Sequence, residues 1–202
     1  MKRYRVGPAR GAIDWPRAAC LSDFSFPWEE TAPAPTEFRA LWTPERLHFR
    51  FDCRDEDLVL GAGNSEKERV LGSDRVELFF ATDLGLNPYF CLEMSPSGDV
   101  YGYRARTYRQ LDDTFVWSGL ELAQRIDGDR YWVEGSLPLA FLRELGVLRA
   151  GANELLAGLY RAEFSRQPSG GVRFGWMSWV DPETAKPDFH VPGSFGVLEL
   201  GE

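Results

Sequence analysis

The sequence predicts an all-β protein, a single antiparallel sandwich of two sheets with one short helix in a crossover, and three observations predict it. Short runs rich in aromatic and β-branched residues alternate apolar with polar at period two. Clusters of Gly, Pro, Asn and Asp separate these runs, as tight turns require. Only one stretch reads as a convincing helix. About eight to ten strands at such spacing, with so little helix, describe a sandwich and not an α/β fold.

The runs follow in order. EFRALW (37–42) is the first, and after a turn at Thr43-Pro44 the run RLHFRFDC (46–53) puts Leu47, Phe49, Phe51 and Cys53 on one face and His48, Arg50 and Asp52 on the other. RVELFFA (75–81), YFCLEM (89–94), VYGYRAR (100–106), RYWVEGSLP (130–138), LLAGLYRAEF (155–164) and FGVLEL (195–200) read the same way, with turn signals such as SPSGD and DGDR between them. The helix is LAFLRELGV (139–147), opened after Pro138 and ended near Gly146. The stretch PWEETAPAPTE (27–37), with its three prolines, is expected to run extended and wrap one end of the sandwich.

At 202 residues the chain suits one domain, 1–202, large enough to bury a core without staples. A net charge of −8 argues against nucleic acid and against an acidic membrane surface as partners, since both are bound through clustered Lys and Arg. Nothing in the chain is apolar for long enough to span a bilayer, and MKRYRVGPARGAIDW has no apolar core of a secretory signal. The expectation is a cytoplasmic protein as written, or a secreted one if a native signal has been removed. Cys20, Cys53 and Cys91 are an odd number without CxxC spacing, so buried free thiols are expected and not a disulfide framework or zinc site. Seven tryptophans remain the most informative feature, because an indole needs either burial or a ligand to cover its face.

Taken in order, PWEETAPAPTEFRALWTPERLHFRFDCRDED, GSDRVELFFATD, YFCLEMSPSGDVYGYR, RYWVEGSLPLAFL, LYRAEF and the closing WMSWVDPETAKPDFHVPGSFGVLEL resemble the family 9 carbohydrate-binding modules and their DOMON-like relatives. The resemblance implies an immunoglobulin-like or jelly-roll sandwich acting as a non-catalytic sugar-binding protein. It also implies a slot in which two tryptophans enclose a terminal sugar ring, and structural calcium elsewhere. Trp179 matches the C-terminal tryptophan of that slot, whereas LGAGNSEKERVLGSD offers no counterpart for its partner, so the second wall falls to Trp117 or Trp176.

A pyranose needs an aromatic plate for its C–H face and fork-shaped polar groups for neighbouring hydroxyls. Alternation turns Glu77 and Glu93 away from the Val76/Leu78/Phe80 and Phe90/Leu92/Met94 faces, and a regular hairpin adds Arg104 and Arg106 beside them. Arg161 on a central strand and Asp181 beside Trp179 complete the candidate set. Glu77, Glu93, Arg104 and Arg161 serve equally as cross-strand salt bridges. Trp15, Trp28, Trp42 and Trp132 read as core or edge packing. Trp176 and Trp179, three apart on one strand, are expected on opposite faces.

The run DCRDEDL, with Asp52, Asp55, Glu56 and Asp57, offers oxygens of the kind calcium prefers but lacks EF-hand spacing, and a solvated loop accounts for it as well. His190 is expected to brace its loop. In a haem-binding DOMON-like domain, the main rival, it pairs instead with Met94 or Met177. A protein-interaction domain without a small ligand is the third reading. No GxSxG elbow is present, and abundant carboxylates nominate no glycosidase pair, so no enzyme is expected.

Overall fold

In the computed structural model, which describes residues 1–149 and 151–201, twelve strands form two packed sheets joined through the N-terminal strand. That strand, β1 (Arg3–Pro8), pairs in parallel with the last strand β12 (Gly196–Leu200) through Arg3–Val6 and with β2 (Thr36–Trp42) through Gly7–Pro8. These parallel pairs depart from the antiparallel expectation, while every other ladder is antiparallel. The run RYRVGP was hard to read because only Tyr4 and Val6 are buried in it.

The first sheet runs β7 (Gln110–Asp112), β6 (Val100–Arg106), β5 (Tyr89–Met94), β4 (Arg75–Ala81), β10 (Glu154–Arg166), β12, β1, and β11 (Val172–Ser178) pairs with the second half of β10. The second sheet runs β1, β2, β3 (Arg46–Arg54), β9 (Arg130–Pro138), β8 (Glu121–Asp127). Between the sheets lies the main core, with Phe38, Phe49 and Phe51 facing Leu78, Phe80, Leu92 and Leu159. Period-two alternation explains these assignments strand by strand. β4 is buried along its whole length, because a second cluster, including Phe79, Tyr89, Tyr103 and Tyr160, covers its other face.

Helix α2 (Leu139–Glu144) stands where the sequence places it and ends at Gly146, whose φ of +76° suits glycine. Helix α1 (Glu66–Leu71) was not expected. Ser65 accepts from Glu68 N while Glu68 accepts from Ser65 N, a capping box legible in SEKE. The proline-rich stretch is fastened at its start, where Trp28 Nε1 donates to Thr184 O and Glu29 pairs with Arg173. Cys53 and Cys91 are buried thiols, but Cys20 is exposed, a correction to the sequence expectation that follows from its place in an irregular segment. No described helix is long and apolar enough to cross a membrane.

Candidate functional site

The outer face of the first sheet is built by alternation. Arg75, Glu77 and Phe79 of β4, Tyr89, Cys91 and Glu93 of β5, and Tyr101 and Tyr103 of β6 share it, the register setting Glu77 opposite Glu93 and Cys91 opposite Tyr103. Residues 187–195 fold across one end of this face. There Phe189 stacks on Tyr160 with centroids 4.1 Å apart, and Ser194 Oγ lies 2.7 Å from the Tyr160 hydroxyl. The other end stays open as a cleft of about 350 Å³, within the size range of small-molecule sites. Trp176 of β11, Lys67 and Leu71 of α1, Arg109, and His190 with its neighbours wall it in.

On the floor, Arg75 Nε sits 2.9 Å from Glu77 Oε1 and 2.7 Å from Glu93 Oε2, and Tyr103 donates to Glu93 Oε1 at 3.0 Å. All four side chains are buried. Burial, and then the negative charge of Glu93, pushes the Glu77 carboxyl above the usual carboxylate range, with Arg75 opposing. The terminal nitrogens of Arg75 are loosely held. Nη1 reaches the carbonyls of Leu71 and Ser73 only at 3.5 Å, and Nη2 has no hydrogen bond among the described residues. Its guanidinium carbon lies 5.4 Å from the centroid of the Trp176 ring.

The walls are braced by hydrogen bonds and ion pairs. Lys67 Nζ lies 2.5 Å from Asp113 and 4.7 Å from the centre of the Tyr101 ring, and the Tyr101 hydroxyl donates to the same Asp113 at 2.6 Å. Asp188 accepts from the Tyr108 hydroxyl at 2.6 Å, from Arg109 Nη2 at 3.1 Å and from His190 N at 2.9 Å, so it fastens the β6–β7 turn to the C-terminal segment. His190 Nδ1 bonds the Tyr89 hydroxyl at 2.8 Å. Burial, then the charge of Arg109, lowers its pKa to about 4, which leaves the imidazole neutral near pH 7.

Among the sequence candidates, the structure brings together Glu77, Glu93 and Trp176. Trp179 is corrected. Alternation does put the two tryptophans on opposite faces, but Met177 and Trp179 turn inward while Trp176 turns out. Trp179 is only 2% exposed, wedged where the strand β12 begins at Gly196, which a Cβ atom would drive into its ring at 2.5 Å. Trp117 is likewise no slot wall. It packs between the sheets over Gly102, donating Nε1 to Cys91 O at 2.9 Å.

Arg104 and Arg106 are on the far side of β6 from Tyr103, one residue out of the expected register, and Arg104 pairs with Asp112 at 2.6 Å. Arg161 points between the sheets, buried, with Asp55 at 3.0 Å and Thr36 at 3.0 Å. Asp181 is exposed, outside the cleft, and caps a turn by accepting from Glu183 N at 2.8 Å. The sequence reading missed Arg75, Tyr101, Tyr103, Lys67 and Arg109. Arg75 shares the period-two face of Glu77 and was legible on that ground.

Neither cofactor candidate assembles. Met94 and Met177 lie in the inter-sheet core and His190 on the opposite face of the sheet, so no axial haem pair forms. Each carboxylate of the acidic run pairs with an arginine: Asp52 with Arg50, Asp55 with Arg161, Glu56 with Arg54 and Asp57 with Arg166. Those guanidinium charges oppose a calcium ion there. Among the described residues no cluster of three or more His, Cys, Asp or Glu gathers as a metal site.

A family model described as carbohydrate family 9 binding domain-like matches residues 9–202. No curated protein is similar in sequence. Among solved structures, a candidate carbohydrate-binding protein from Bacteroides uniformis superposes with a TM-score of 0.73 at 14% identity, over 99% of both chains. A family 9 module from Caldicellulosiruptor kristjanssonii in complex with cellotriose gives 0.63 at 14% identity, over 98% of this chain and 93% of that one. A second structure from that organism, in complex with glucose, gives 0.59 at 18% identity over 99% and 96%.

Proposed function

The chain belongs to the carbohydrate family 9 binding domain-like family, and from that premise we propose that it is a non-catalytic sugar-binding protein whose ligand ring lies in the cleft against Trp176. The observation that supports this most is the pairing of an apolar plate with uncommitted polar atoms. Arg75, Glu77 and His190 line the cleft, and Arg75 Nη2, Glu77 Oε2 and His190 Nε2 each lack a hydrogen bond among the described residues. An indole serves the C–H face of a pyranose, and a donor with an acceptor beside it serves a pair of hydroxyls, the charged groups giving the stronger bonds. The family 9 modules that hold cellotriose and glucose support the same ligand class.

Binding without catalysis suits the carboxylates. A glycosidase needs two carboxyls that flank the scissile bond, whereas Glu77 and Glu93 stand side by side on one sheet face and share a single nitrogen of Arg75. Titration calorimetry with glucose, cellotriose and other mono- and oligosaccharides tests the reading. Saturable heat with at least one of them, and no reducing ends released from the oligosaccharides, is expected. Silence across the panel contradicts it.

A further inference from the structure

Two of the seven tryptophans are claimed by no core. Trp117 and Trp179 are buried between the sheets, and Trp28, Trp42 and Trp176 pack against the apolar clusters. Trp132 of β9 and Trp15, in a single 3-10 turn (Trp15–Arg17), are half-buried and belong to none of these clusters. Both stand on the outer face of the second sheet, remote from the cleft. An indole at a sheet surface, outside the apolar clusters, keeps part of its apolar plate open to a ligand.

Both plates are held in place. Glu134 Oε2 accepts from Trp15 Nε1 at 2.9 Å and from Arg50 Nη1 at 2.8 Å. The same Arg50 guanidinium lies 4.5 Å from the centroid of the Trp132 ring, and Asp52 steadies it through Nη2 at 2.6 Å. Trp15, Glu134, Arg50 and Trp132 thus form one connected chain of contacts. Two grooves adjoin it on this face, one of about 430 Å³ beside Trp132 and one of about 310 Å³ beside Trp15. They follow one another along β9, where the outward residues from Trp132 to Ser136 span roughly 13 Å at about 3.3 Å per residue. The β8 side of this face is open, since every residue of that strand except Leu122 is exposed.

We propose that this face is a second sugar-binding surface, which takes the interior of an uncharged polysaccharide chain. Two open grooves that follow one another along a strand, each bordered by an indole, suit a chain passing over the face, as a walled cleft does not. The lack of charge follows from the balance of the face. Arg50 is paired with Asp52 and Glu134, Arg39 with Glu37, Arg46 with Glu121, Arg54 with Glu56 and Asp129, Arg125 with Asp127 and Arg130 with Asp129, so each cation of the face has an acidic neighbour and the face offers no row of free cations for an acidic polymer. The inference goes beyond the cleft and stands independently of it.

Affinity electrophoresis through gels cast with mixed-linkage β-glucan, arabinoxylan, galactomannan or polygalacturonate tests the proposal. Trp176→Ala serves as the parent, so that retardation by the cleft is weakened. At least one neutral polymer is expected to retard this parent, and adding Trp132→Ala is expected to weaken that affinity about tenfold or more. Arg125→Ala, directly opposite Trp132 on β8 and exposed, is a second variant that removes no core contact and is expected to weaken it as well. No retardation of the parent by any neutral polymer overturns the proposal. So does retardation by polygalacturonate alone, or retardation unchanged in both added variants.

Discussion

Glu77 and Glu93 stand directly opposite one another on neighbouring strands, and a single nitrogen, Arg75 Nε, lies between their carboxylates at 2.9 and 2.7 Å. Facing like charges repel, and here burial sharpens the repulsion, so the guanidinium is what allows the pair to exist. Arg75→Leu leaves two buried carboxylates without a cation and is expected to lower the unfolding free energy by about 3–5 kcal/mol. Urea denaturation measures it. An unchanged midpoint contradicts the triad's role.

The raised pKa of Glu77 sets a sign for pH dependence. A carboxyl that holds its proton more tightly when folded stabilises the fold fully below its unfolded pKa, and that contribution is lost as pH rises through the folded one. Stability is therefore expected to decline as pH climbs out of the acid range, and Glu77→Gln to flatten that decline. Urea midpoints over a pH series in both proteins check it, and parallel curves contradict it.

His190 works in the opposite direction. Its pKa falls from the ordinary 6.5 to about 4 in the fold, so the unfolded chain binds the proton first. Its contribution is complete above pH 6.5 and disappears as pH falls through 4. His190→Asn is expected to reduce the acid-side slope of stability over that window. Thermal midpoints between those limits, compared with wild type, provide the measurement.

Arg161 and Asp55 separate a structural arginine from a ligand arginine. Their buried pair, 3.0 Å apart, ties β10 to the end of β3 from within the core. Asp55→Ala strands the guanidinium and is expected to cost about 3–5 kcal/mol in stability. The affinity of the folded fraction for sugar is expected to stay as in wild type. A lost affinity at unchanged stability would return Arg161 to the binding site.

Much of the fold was legible because alternation is a short-range signal. The strands β2–β6, β9, β10 and β12 follow from which side each residue can bury, as does the outward turn of Glu77 and Glu93. β8 was not legible, since six of its seven residues are exposed and no apolar face marks it. The cleft was less legible than the sheets. Trp176 and Trp179 differ in side by the register of β11 against β10, and a loop-adjacent position does not reveal which of the two faces inward. The slip at Arg104 has the same origin, one residue of register exchanging the faces of β6. Walls formed by α1 and residues 187–190 come from chain segments distant in sequence, which period-two reading does not bring together.

The cleft assignment meets its most direct test in calorimetry of the two tryptophan variants against whichever of glucose or cellotriose binds wild type. Trp176→Ala is expected to weaken binding about tenfold or more, and to lower stability less than Trp179→Ala does because Trp176 is only half-buried. Trp179→Ala is expected to lower stability by about 3–5 kcal/mol and, below its unfolding temperature, to bind as wild type does. Wild-type affinity in Trp176→Ala, or lost affinity in folded Trp179→Ala, would contradict the account.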